Sequence, residues 1–189
     1  MVYSFSLRLP SRDTEMRRTL LLVIFALLPV LLAGMLALWP PLMNGAGSDQ
    51  SVAIIVNPSN PVENCSFEDL RKIFMGEKSH WPNGRRITLV MLDPAHPERK
   101  VVLREIYNMS EKDLNNHFIQ GVFTGGVLAP PKTLASAADV RKFVFNVPGA
   151  IGYVKGTDVD PPVKILRIDG RLPDDKDYRL RLQGHPGKP

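Results

Sequence analysis

Asp93, His96 and Arg99 lie close together in the stretch Leu92-Asp93-Pro94-Ala95-His96-Pro97-Glu98-Arg99, and residues of these types could hold an anion. A guanidinium offers two parallel hydrogen bonds to an oxyanion, and an imidazole offers a charge that pH controls. If a helix begins near Pro97, its first N–H groups are unpaired and its dipole favours negative charge. The plainer reading keeps Asp93 as a helix cap, His96 and Arg99 as solvated loop residues, and the two prolines as turn formers. Two further loops carry similar donors. Ser59 and Asn60 follow Asn57-Pro58 and either face the same end of a sheet or hold their own turn. Thr124 precedes Gly125-Gly126, where exposed N–H groups either nest an anion or simply end a helix.

Other chemistry is poorly represented. The four histidines, His80, His96, His117 and His185, show no metal-ligand spacing, and the sequence has no phosphate-binding Walker loop, nucleophile elbow or H-E-x-x-H. Neither a metal, a cofactor nor a catalysed reaction is expected. Cys65 is the single cysteine, which excludes a disulfide within one chain, and no basic neighbour activates its thiol. Trp81 reads as a core plug or a ligand-stacking ring, and Arg85-Arg86 as a solvated pair.

The elements that must position these residues can be read from patterning. Val52 to Val56 is a β-branched run ended by Asn57-Pro58, as expected of a strand buried on both faces. Ser66 caps a helix with acids in its first turn, Phe67, Leu70, Ile73 and Phe74 share its apolar face, and Gly76 stops it. After the Pro82-Asn83-Gly84 turn, Ile87 to Leu92 is a second buried strand, so the Asp93 stretch falls at a strand-to-helix junction. Helices are expected over about 97–107, from about 109 to 118 or 119, and after a Ser136 cap as far as Pro148. Ile151 to Val154 and Val163 to Ile168 complete the strands. This order implies an α/β domain with a mainly parallel or mixed sheet flanked by helices.

The N-terminus is different in kind. Leu20 to Trp39 is uncharged for 20 residues, which at about 1.5 Å per residue matches a bilayer core of about 30 Å. Arg8, Arg12, Arg17 and Arg18 precede it, so residues 1–19 are expected in the cytoplasm and everything after the run outside. The run is either a retained membrane anchor or a signal peptide cut near Asn44 to Ser48. A linker over 40–50, an α/β domain over 51–170 and a charged, flexible tail over 171–189 follow. Of 24 basic and 19 acidic residues, 4 and 2 precede residue 48, so the exported part carries 20 against 17. That small excess gives no reason to expect nucleic acid as a partner and mildly favours anions.

Three segments taken together, IVNPSNP, SFEDLRKIFMGEKSHWPNGRRITLV and FVFNVPGAIGYV, resemble the substrate-binding proteins of phosphate ABC transporters, the PstS-like periplasmic binding proteins. The resemblance covers roughly residues 51–168. It implies a type II periplasmic-binding-protein fold, here a short single-lobe form, because full members close two lobes on the anion. It also implies phosphate or another small anion as ligand, a bacterial periplasmic location, and a transporter or envelope protein as partner. Where the family has an RSDGSGT-like loop after the second strand, this chain keeps only the aspartate, as Asp93. The expectation is therefore a non-catalytic, exported binding module for transport or sensing. The alternative is an envelope protein–protein interaction module that keeps the fold and uses the surface left by the missing lobe. A homodimer that rebuilds a cleft is a third possibility.

Overall fold

The computed structural model describes residues 50–182. The apolar run 20–39, most of the linker and the tip of the tail lie outside the described residues. All described residues fall within one compact unit, Gly45–Pro189. Among them no helix is long and apolar enough to cross a membrane.

The described residues form a mixed sheet of five strands with helices on both faces. In chain order the elements are β1 (Val52–Val56), β2 (Asn64–Cys65), α1 (Phe67–Met75), β3 (Thr88–Leu92) and α2 (Pro97–Val102), which continues as a π-helical turn, Leu103–Tyr107. Then come α3 (Glu111–Phe123), β4 (Lys132–Leu134), α4 (Ala137–Asn146), β5 (Ala150–Lys155), β6 (Lys164–Ile165) and β7 (Arg167–Ile168). The main sheet runs β4-β3-β5-β1-β6, and β2 pairs with β7 in a separate two-stranded ribbon. β3 is parallel to both β4 and β5, whereas β1 is antiparallel to both β5 and β6.

The capping chemistry explains where the helices begin. Ser66, Ser110 and Ser136 each accept a hydrogen bond from the N–H three residues on, at 3.0, 3.2 and 3.1 Å, and so satisfy one of the unpaired donors of their helix. Gly76 ends α1 with φ 80°, a left-handed conformation that glycine adopts without steric cost. Asn108, at φ 54°, closes the π-helical turn. A single α-helix over 97–107 is thus corrected to six α-helical residues followed by a wider turn.

Period-two alternation along β5 assigns the helices to faces. A Cβ at Gly152 would lie 2.9 Å from Val140 and 3.4 Å from Val144, so that face is covered by α4. Tyr153 points the other way, with its ring 6.4 Å from Phe74 of α1, and Phe74 in turn contacts Tyr107 edge-on at 5.9 Å. Trp81 is buried and donates its indole N–H to Gly149 O at 3.0 Å, which makes it a core plug tying the turn before β3 to the start of β5.

Two expectations fail. Val163 to Ile168 is not one strand: Leu166 interrupts it, donating its N–H to Ile54 O at 2.9 Å, and the two halves join different sheets. Nor is the stretch after Arg171 a flexible tail as far as residue 182. Tyr178 and Leu180 are buried in the core, Val52 N–H bonds Leu180 O at 2.8 Å, and Tyr178 donates its hydroxyl to Val52 O at 3.0 Å. Two apolar anchors in a charged stretch suffice to fasten it, although they leave no periodic pattern.

Candidate functional site

At the exit of β3 the chain folds tightly on itself. Asp93 donates its N–H to Leu134 O at 2.9 Å, its carbonyl accepts from His96 N–H at 3.0 Å, and its side chain accepts from Ala95 N–H at 3.0 Å. Asp93 thus holds its own turn, and His96 occupies the N-cap of α2. His96 Nε2 lies 2.9 Å from Ala135 O. A carbonyl only accepts, so that nitrogen carries the proton and Nδ1 faces Glu98 Oε2 at 3.8 Å. Glu98 is buried, and its Oε2 has no hydrogen-bond partner among the described residues.

Arg99 is spent inside the fold. Its Nε and Nη2 donate to the two carboxylate oxygens of Glu111 at 2.5 and 2.9 Å, and Nη1 donates to Leu92 O at 2.8 Å. Burial is the largest influence and opposes the charge, but the hydrogen bonds to Glu111, together with the nearby acidic groups of Tyr153, Glu111 and Tyr107, outweigh it and hold the guanidinium above its ordinary range. The expected bidentate contact from Arg99 to an anion is therefore corrected. The fork already grips a carboxylate, one that pins α3 to the exit of β3.

Ser59 and Asn60 lie at the other end of the sheet. Val56 pairs with Ile151 and Thr88 with Ala150, so the exit of β1 adjoins the entrance of β3, and Asp93 is a full strand away. The expectation of a shared end assumed parallel strands, and a buried apolar run carries no sign of strand direction. Asn57 organises this loop: its Nδ2 donates to Val144 O and Phe145 O at 2.9 and 2.6 Å, and its Oδ1 accepts from the Ser59 N–H and hydroxyl. Asn60 is buried; its Oδ1 accepts from Val62 N–H, while its Nδ2 has no partner among the described residues. Thr124 donates its hydroxyl to Gln120 O and Gly121 O, as a helix-ending residue does. The six candidates therefore do not form one site.

The entrance of β3 gathers a different set. Arg85 Nη1 donates to Ser59 Oγ at 2.8 Å, and both residues are exposed. Also at this end of β3 is a groove of about 240 Å³, lined by Lys78, Ser79 and Arg86 over a floor that includes Ile73 and Phe118, and among the described residues no carboxylate lines it. Lys78 also pairs with Asp69 at 3.5 Å, and Lys132 lies over the Phe143 ring at 5.5 Å. The sequence pattern alone places Arg85 and Arg86 on a solvated surface. The signal available was the Pro82-Asn83-Gly84 turn, which delivers both to the first residues of a buried strand.

The fold is similar to that of about half the chain of solved phosphate transport receptors, and the chain is similar to phosphate ABC transporter substrate-binding proteins over about two thirds of its length. It is 29% identical over 138 residues to the phosphate-binding protein PstS of Bacillus subtilis, which covers 68% of this chain and 41% of that protein. The crystal structure of an ABC-type phosphate transport receptor from Vibrio cholerae superposes with a TM-score of 0.52 at 20% identity, over 68% of this chain and 49% of that one. PstS from Borrelia burgdorferi gives 0.51 at 18% identity, over 68% and 50%. At these identities the two structures speak for the fold alone. The chain thus spans about half the length of the proteins it matches or less. No protein-family model matches it.

Proposed function

We propose that the chain is an exported, non-catalytic, phosphate-binding-protein-like module that contacts a small anion in ABC-type transport or sensing at the bacterial envelope. The observation that carries this reading is the 138-residue similarity to a phosphate-binding protein, laid on a lobe of the same fold. Within the lobe, the anion meets the entrance of β3. Lys78 and Arg86 supply positive charge there, Ser79 supplies a hydroxyl, and among the described residues no carboxylate lines the groove to repel the ligand. The exit of β3 serves a structural purpose, because Arg99 and Asp93 are already paired there.

Isothermal titration of the full chain with phosphate, sulfate and small carboxylates tests the proposal. Binding of at least one of them is expected, weakened by about tenfold or more in Arg86→Ala, since a charge-assisted contact contributes about 1.5–3 kcal/mol. Absence of heat from all of them at millimolar concentration would sink the reading. Binding that Arg86→Ala leaves intact would move the site elsewhere.

A further inference from the structure

The outer side of α3 is apolar where a solvated helix would be polar. Ile119, Val122 and Phe123, at the three- and four-residue spacings of one helical face, are 57%, 44% and 88% exposed, and Leu128 in the next loop is 59% exposed. Next to them a groove of about 450 Å³ runs between α3 and β4, walled by Leu114, Phe118, Ile119, Pro130 and Pro131. Knob and hollow therefore belong to the same patch, as an isologous two-fold contact requires. Among the described residues Arg99 is the one charged residue lining the groove, and Glu111 already neutralises it. The groove accordingly presents no charge to select an acidic or basic partner, and none that would repel an identical copy.

β4 borders the groove and, among the described residues, is an edge strand, paired on one side with β3. Lys132 faces α4, with its ammonium over Phe143, so Thr133 faces the groove by the alternation of a strand. An antiparallel β4–β4 pair centred on Thr133 sets Thr133 against its own mate and Lys132 against Leu134. Two lysines are thus kept apart, and Thr133 stays on the side where the Phe123 rings meet. A strand of three residues adds few hydrogen bonds, so the apolar contact must carry most of the association.

We propose that this face is a homodimer interface, in which Phe123 of each copy enters the α3–β4 groove of the other and the two β4 strands pair antiparallel about Thr133. The experiment uses the full chain in detergent, with sedimentation equilibrium and disulfide trapping. Opposed residues of an antiparallel pair have Cα atoms about 4.5–5.5 Å apart, within disulfide reach. Thr133→Cys is therefore expected to cross-link to itself under mild oxidation, and Lys132→Cys, displaced from its mate by two residues, is not. Phe123→Asp is expected to weaken self-association by about 100-fold, as loss of a central aromatic anchor does, with an unchanged circular dichroism spectrum because Phe123 is outside the core. It should also abolish the Thr133→Cys cross-link. A monomer at every concentration, equal cross-linking at both positions, or a dimer indifferent to Phe123→Asp would each overturn the proposal.

Discussion

Arg99 shows how far one residue's meaning depends on what its chemistry is spent on. Its three side-chain hydrogen bonds join the end of β3 to the first turn of α3. Arg99→Met is expected to destabilise the fold by about 2–3 kcal/mol, because it strands Leu92 O and a partly buried Glu111 carboxylate. Urea unfolding should show the loss, while anion affinity stays unchanged; the reverse pattern would return Arg99 to the binding site. Cys65 makes a second residue-scale case. Burial, with Asp69 adding to it, pushes its thiol from 9.0 up to about 11. Between those values the unfolded chain gives up a proton that the folded chain keeps, so stability falls as pH rises. The thiol's share is about 1 kcal/mol between pH 9 and 10. Above that the buried tyrosines Tyr107, Tyr153 and Tyr178, also raised by burial, add to the same slope. Cys65→Ala should flatten the pH 9–10 segment of a stability profile, and an unchanged slope there would refute the assignment.

At the scale of elements, what could be read in advance follows the range of each physical cue. Serine caps, glycine stops and apolar faces act within one helical turn, so the starts of α1, α3 and α4 and the end of α1 stand in the local sequence. β1, β3 and β5 were legible because each is a concentrated apolar run. Their relative directions were not, since a strand buried on both faces looks alike from either end, so the sequence does not reveal that Ser59 and Asp93 lie at opposite ends of the sheet. β4 leaves no sequence signal either: three residues, two of them exposed, give no alternation to detect. Gly149 illustrates a constraint that only the assembled sheet reveals. A Cβ there would lie 2.0 Å from Arg86 O, so the glycine of the Pro148-Gly149-Ala150 segment is what lets β5 start against the chain entering β3. Its carbonyl then accepts from both Trp81 and Thr88 N–H, which fixes the basic entrance of β3 onto the core. The candidate anion groove is thus a product of strand order, and no short motif encodes it.

For the molecule as a whole, the domain spans about half the length of the proteins it matches or less, and its sheet must still be closed at the β1 end. The returning segment 171–182 does much of this. It lies along the start of β1, where Leu180 O accepts from Val52 N–H and Leu182 N–H donates to Gln50 O at 2.7 Å. Arg181 is held in turn, accepting at its carbonyl from Arg104 at 3.0 Å and donating to Asp175 O and Lys176 O. Tyr178 is the anchor of this strap, buried to 1% exposure with its hydroxyl on Val52 O. If the strap is part of the core, Tyr178→Ala removes a large buried side chain and leaves a cavity beside β1, at a cost of about 3–5 kcal/mol. Tyr178→Phe keeps the ring and strands only the carbonyl, so its cost should be about 1–2 kcal/mol. A flexible tail would make both substitutions nearly silent. Urea unfolding of the full chain, followed by circular dichroism, separates the cases by the size and order of the two losses. The same strap bears on function through β1, whose far end leads to Asn57, Ser59 and the Arg85 contact. Loosening it in Tyr178→Ala should therefore weaken anion binding as well, without touching any residue that lines the groove.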